Sequence, residues 1–201
     1  MANGKVCTGF SKPYVAKYVN TSGTISYTSG QALARGVDVS LEVETADDNN
    51  FYADNVKAES EAGLFQSGTV TLTVDGLKAA ARKLITGITA TATLTVGTDS
   101  VSVDVYDDTQ SVPYVGIGFI VRYMEDGVTT YAPYLLRKCI FSQPGIDAAT
   151  QEEEIDWQTQ ELEATVMRDD SAAHAWQWIA EDQSTEAAAE DVLKAMLGIS
   201  A

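Results

Sequence analysis

The side chains that carry most protein chemistry are scarce in this 201-residue chain. It has one histidine, His174, and two cysteines, Cys7 and Cys139. A single imidazole excludes most nucleophile–base triads and most zinc sites, which draw on several His or Cys ligands. The two cysteines are far apart, form no Cys-x-x-Cys pair and have no activating neighbour in sequence. Carboxylates are plentiful but poorly spaced for chemistry. Asp47-Asp48-Asn49-Asn50 offers oxygen ligands without the spacing or the distal Glu of a calcium loop, so it reads as a solvated loop. Glu152-Glu153-Glu154 and Asp169-Asp170 could pair carboxylates for acid–base work. Fourteen acids fall between residues 145 and 191, however, so adjacency is expected there without any catalytic cause. Gly116-Ile117-Gly118 has Val121 where a dinucleotide fingerprint needs glycine, which favours close backbone packing over cofactor binding. His174, close to Trp176 and Trp178, reads as a packed or surface histidine. We expect no catalytic residue, no metal and no cofactor.

The elements that must position such residues are mostly strands. From residue 37 the chain runs V-D-V-S-L-E-V-E, with Val37, Val39, Leu41 and Val43 on one side and Asp38, Ser40, Glu42 and Glu44 on the other. Two hexads, T-V-T-L-T-V at 69–74 and T-A-T-L-T-V at 91–96, predict two similar strands. Val101, Val103 and Val105 continue the alternation. Asn20-Thr21-Ser22-Gly23 and Glu125-Asp126-Gly127 stand between β-rich runs and predict hairpins. Further strands are expected over 137–141 and 162–167.

Two helices are expected. Asp75 would cap one carrying Leu77, Ala80, Ala81, Leu84 and Ile85 on a single face, with Gly87 ending it. Ser184 or Thr185 would cap the other, over 184–198, with Ala189, Val192, Leu193, Met196 and Leu197 as its stripe and Gly198 as its stop. The whole reads as one mainly β domain, a sandwich or barrel with packed helices. Residues 45–63 fit neither period. They are polar and acidic, yet hold Phe51, Tyr52 and Val56, and are expected to form a long irregular arm reaching a neighbouring copy.

Charge sets further limits. With 13 Lys+Arg against 29 Asp+Glu the chain carries a formal charge of -16, which argues against gripping DNA or an anionic membrane by charge. No apolar run nears the ~20 residues of a membrane span. Met-Ala-Asn-Gly-Lys at the start lacks a signal-peptide core, so a cytosolic origin with reduced cysteines is expected. Residues 1–36 hold four basic groups and no acid, whereas residues 37–62 hold eight acids and Lys57. Head-to-tail contact between copies is open to such a chain; a solvated acidic surface is the simpler alternative.

Five pieces, taken in order, resemble the major tail proteins, or tail tube subunits, of long-tailed bacteriophages. They are V-S-L-E-V-E-T-A-D-D-N-N-F-Y-A-D-N (39–55), G-T-V-T-L-T-V-D-G-L (68–77), Y-V-G-I-G-F-I (114–120), D-G-V-T-T-Y-A-P-Y-L-L-R-K-C-I-F-S-Q-P (126–144) and E-I-D-W-Q-T-Q-E-L-E-A-T-V-M (154–167). The resemblance implies a β-sandwich or barrel tail-tube fold with a flanking helix. It implies copies closing into rings, usually hexameric, that stack into a tube, with strands from each subunit lining an inner barrel. Its implied partners are further copies, tape measure protein, tail terminator and tail-tip proteins. DNA would pass through without specific binding. The implied location is the virion tail, after synthesis in the host cytoplasm.

Site expectations follow from these readings together. Asp47, Asp48, Asn49, Asn50, Phe51, Tyr52, Asp54 and Asn55 would form the inter-subunit arm. Asp38, Glu42 and Glu44 would face the lumen and repel DNA, the alternative being that this face meets outer solvent. Lys12 and Lys17 would meet the acids at 42–61 of the next ring. Two other readings stand beside this one: a tube subunit of a contractile tail or phage-derived particle, and a monomeric β-sandwich binding module.

Overall fold

The computed structural model describes residues 4–146, 148–150 and 157–200. The protein is mainly β, with twelve strands and two helices among those residues. In chain order they are β1 (Val6–Thr21), β2 (Thr24–Ala32), β3 (Gly36–Thr45), β4 (Asn49–Ala53), β5 (Val56–Glu61), β6 (Phe65–Val74), α1 (Ala79–Thr86), β7 (Thr91–Val96), β8 (Asp99–Asp104), β9 (Val115–Glu125), β10 (Val128–Phe141), β11 (Gln160–Met167), β12 (Gln177–Ile179) and α2 (Glu186–Met196). The main sheet is antiparallel in the order β2-β1-β9-β10-β11-β6-β3, with β12 added to β10. It wraps round until β1 packs against β3: a Cβ placed on Gly36 would lie 2.1 Å from the Phe10 ring.

Alternation builds the core. β6 and β11 turn Val70, Leu72, Val74, Leu162, Ala164 and Val166 inward, all 1% exposed or less, and leave their Thr and Glu residues outward. β9 is buried on both faces, as a strand covered by a helix must be. Val115, Ile117, Phe119 and Val121 enter the main core, while Ile120 joins Ala16 and Leu135 beneath α2. Leu193, Leu197 and Ala189 of α2 complete that second cluster. Each large side chain buried there contributes about 1.5–3 kcal/mol. Gly116 and Gly118 sit on the same face. A Cβ on Gly118 would lie 2.6 Å from Leu193 Cδ1, and one on Gly116 2.5 Å from the Tyr27 ring. The Gly-Ile-Gly motif is a close-packing device.

Both expected hairpin turns form, with Ser22–Gly23 and Asp126–Gly127 all at positive φ, as the tight turns that match strand twist require. Thr185 caps α2, its side chain accepting from the Ala188 N–H. Gly87 closes α1 at φ 70°.

Four expectations need correction. Asp75 does not cap α1. The helix starts after Lys78 with no side-chain cap, because both Asp75 oxygens accept instead from the Arg35 backbone N–H and guanidinium. Ala80 lies exposed beside buried Ala81 and Ile85. Residues 137–141 are not a separate strand but the end of β10, which runs unbroken through Pro133. Residues 45–63 are not irregular: most of them form the β4–β5 hairpin.

Candidate assembly surfaces

Two hairpins outside the main sheet carry exposed apolar side chains. β4–β5 grows from the far end of the β3–β6 ribbon, where the Ala46 N–H donates to the Leu64 carbonyl. Gly63 is needed at that junction, since a Cβ there would stand 1.5 Å from the Ala46 oxygen. The turn is Asp54–Asn55, with φ 49° and 61°. Asp and Asn are the non-glycine residues that best tolerate this region, so the pair was the signal for a hairpin that the missing alternation hid. Every residue of both strands is exposed, including Phe51 and Tyr52 at 62% each and Val56 at 65%. Asp47 and Asp48 lie in the link before β4, where Asp48 accepts from the Gly63 N–H. Asn49 opens β4, and Asn50 accepts from Ser60. All eight arm residues predicted from sequence therefore belong to one projecting ribbon. An isolated two-stranded hairpin is marginal in water.

The second hairpin, β7–β8, uses a hexad that differs from that of β6 only by Ala92 in place of Val70, with the opposite outcome. Val70, Leu72 and Val74 of β6 are buried, whereas Leu94 and Val96 of β7 are 54% and 63% exposed. Pairing of Leu94 with Val101 and Ala92 with Val103 gathers the apolar side chains on one face of the ribbon.

The predicted acidic face of β3 forms as expected. Asp38, Ser40, Glu42 and Glu44 are exposed opposite Thr73, Thr71, Thr69 and Ser67 of β6, while Val39 and Leu41 pack on the core. Glu44 accepts from Ser67 Oγ at 2.7 Å. β2 and β3 end the sheet path, so each offers an edge with no partner strand among the described residues.

The two predicted basic contacts separate. A bulge between Ser11 and Tyr14 places Lys12 at φ 54°, and its ammonium meets Glu190 at 3.1 Å. That pairing raises the Lys12 pKa. Glu190 also accepts from Tyr14 Oη at 2.6 Å and meets Lys194 at 2.9 Å. Together, Tyr14 first, they hold its carboxyl down at about 2. Lys17 is exposed and lines a different groove with Lys83, Ile88 and Tyr114.

The acid pairs are engaged structurally or lie outside view. Asp169 is buried and meets buried Arg137 at 2.5 Å, and Trp178 covers the guanidinium at 3.6 Å. Asp170 points elsewhere, to Lys138 and Tyr18, and these partners lower its pKa. Glu152, Glu153 and Glu154 lie outside the described residues. His174 is exposed at φ 49°, its Nδ1 3.4 Å from the Asp169 carbonyl oxygen. Cys7 is exposed, and burial pushes the Cys139 thiol pKa up. Among the described residues no cluster of three His, Cys, Asp or Glu could hold a metal, and no helix is long and apolar enough to cross a membrane. No protein-family model and no curated protein matches the chain.

Proposed function

We propose that this chain is the structural subunit of a phage tail tube. Copies close into rings, hexameric as the family resemblance implies, and the rings stack into a conduit for DNA ejection. The observation that carries the reading is the β4–β5 hairpin. It projects from a well-packed body with Phe51, Tyr52 and Val56 exposed, and nothing in its own chain covers it among the described residues. An exposed ribbon of this kind gains its burial from a neighbour. The free edges of β2 and β3 support the same reading. They suit heterologous strand addition, which closes as a ring when the rotation per copy allows.

The acidity of the chain fits a conduit, because attractive phosphate contacts repeated along many rings would stall the moving DNA. Tape measure protein would occupy the lumen before ejection, and terminator and tip proteins would close the ends. The role is that of a scaffold with no catalytic step. Negative-stain electron microscopy of the purified protein over a concentration series tests it. Rings or hollow tubes are expected. Single copies at every concentration, even with tail-tip proteins added, would overturn it in favour of a monomeric binding module.

A further inference from the structure

The two sides of β10 are paired unequally. On one side β9 accompanies it from Val128 to Cys139 with a single shift of register. On the other, β11 reaches only Lys138 to Phe141. The chain then leaves the sheet at Arg168 and returns at Trp176, whose carbonyl accepts from the Arg137 N–H at 2.9 Å. From there to Gln183 it runs as a strap along the rest of the β10 edge. The pairing of this strap is thin. β12 matches three residues of β10. Beyond it the Ala180 N–H donates to the Pro133 carbonyl, and Tyr131 and Gln183 exchange two bonds. Pro133 has no N–H to return, and a proline within a strand belongs at an edge. Trp178 and Ile179 stay exposed.

The main grip on the strap comes from a side chain of the edge it covers. Arg137 is 4% exposed. Asp169, where the chain leaves the ladder, sets its carboxylate 2.5 Å from Arg137 Nε. Trp178, after the return, lays its ring 3.6 Å from Arg137 Cζ. The guanidinium is thus held from both ends of the 168–175 excursion. Asp169 Oδ1 accepts from the Ser171 N–H and Oγ, which fixes the first turn of that excursion. Arg137 Nε and Nη1 and Asp169 Oδ2 make no hydrogen bond among the described residues. Water supplies those bonds once the strap lifts, so opening regains part of the desolvation cost of the pair.

We propose that residues 168–183 open as one unit while the body stays folded, and that Arg137 between Asp169 and Trp178 is the clasp that keeps them shut. An opened strap bares the β10 edge to a strand from a second copy, which can offer the free edges of its own β2 and β3. The strap is therefore a guard. While shut, it keeps β10 out of pairing between copies and leaves that to β2 and β3. It acts so whether or not rings form.

Hydrogen exchange resolved to single amides tests it, on the full-length protein at a concentration where it is a single copy. In the parent, the Tyr131, Arg137, Ala180 and Gln183 N–H groups should exchange at one common rate, at least about tenfold faster than the β9 N–H groups paired to β1. Strap and β9 amides exchanging at the same rate would overturn the separate opening. Trp178→Ala should raise the strap rates about tenfold and Asp169→Asn about a hundredfold or more. Circular dichroism checks the fold, and Trp178→Ala carries the test where Asp169→Asn does not fold. Glu190→Gln, which loosens α2 from β1, should leave the strap rates within about threefold of the parent. Strap rates that ignore Trp178→Ala and Asp169→Asn, or that rise as far in Glu190→Gln, would overturn the clasp. Sedimentation velocity then reads the edge. The clasp variants should form dimers and larger species where the parent is single, without tubes in electron micrographs. Variants with fast strap exchange that stay single would overturn the guarding role.

Discussion

Glu190 shows how much of this protein's stability sits in single carboxylates. It gathers Tyr14, Lys194 and Lys12 and ties α2 to β1. Its pKa falls from 4.5 to about 2. A depressed carboxylate stabilises the fold above its unfolded pKa, and that contribution disappears as pH drops through the folded value. Glu190→Gln should therefore cost about 1–2 kcal/mol at neutral pH. The difference from the parent should shrink between pH 4.5 and 2, as thermal melts at a series of pH values would show. A constant gap down to pH 2 would refute the assignment. The Arg137–Asp169 pair makes a different case. At 2.5 Å the charges meet, but the Nε–H is not aimed for a hydrogen bond, so the attraction is mainly Coulombic. Removing one partner strands the other in the interior. Asp169→Asn is expected to cost about 3–5 kcal/mol in urea unfolding, and a paired apolar replacement of both residues should recover most of it.

At the scale of elements, the period of the sequence was legible wherever one side of a strand meets the core. β3, β6, β11 and α2 follow from spacing, and two hairpins follow from Ser-Gly and Asp-Gly turns. The failures have physical causes. Asp75 looked like a cap, but Arg35 lies forty positions earlier in the chain and spacing cannot show that it captures both oxygens. The twin hexads of β6 and β7 are nearly the same string, yet only one is buried, so alternation reports a two-faced strand and not what covers its face. β12 is three residues long and exists through pairing with β10, a contact with no local signature. The acidic face of β3 was legible as a face; which space it meets was not, because that depends on other copies. The arm was legible as an exception, and its hairpin was hidden by a shift in pairing between Phe51 and Tyr52. Because β4 and β5 add nothing to either core cluster, deleting residues 47–60 should leave the melting temperature within a few degrees of the parent. The shortened protein should not form tubes in electron micrographs.

For the whole molecule, the charge of -16 opposes the proposed assembly, while any charge pairing between copies would favour it. Added salt weakens both, with a screening length near 8 Å at physiological strength. Long-range repulsion between copies falls first, so tubes should form faster at 0.15 M than at 0.01 M salt. In the proposed conduit, the exposed face formed by Asp38, Glu42 and Glu44 is the candidate lining. Glu42→Lys with Glu44→Lys should leave tubes intact and slow DNA ejection severalfold, because each new cation adds a phosphate contact in every ring. Unchanged ejection from well-formed tubes would place this face on the outside.

The β3–β6 ribbon acts, finally, as a ruler. Its nine residue pairs hold the β4–β5 arm at a fixed distance from the β2–β3 connection, and in the proposed tube that distance would set the spacing of successive rings. A pleated strand can be lengthened only in twos without turning its apolar side to water. The axial repeat of such a tube can therefore change only in steps of about 6.6–6.8 Å, two residues' rise at a time.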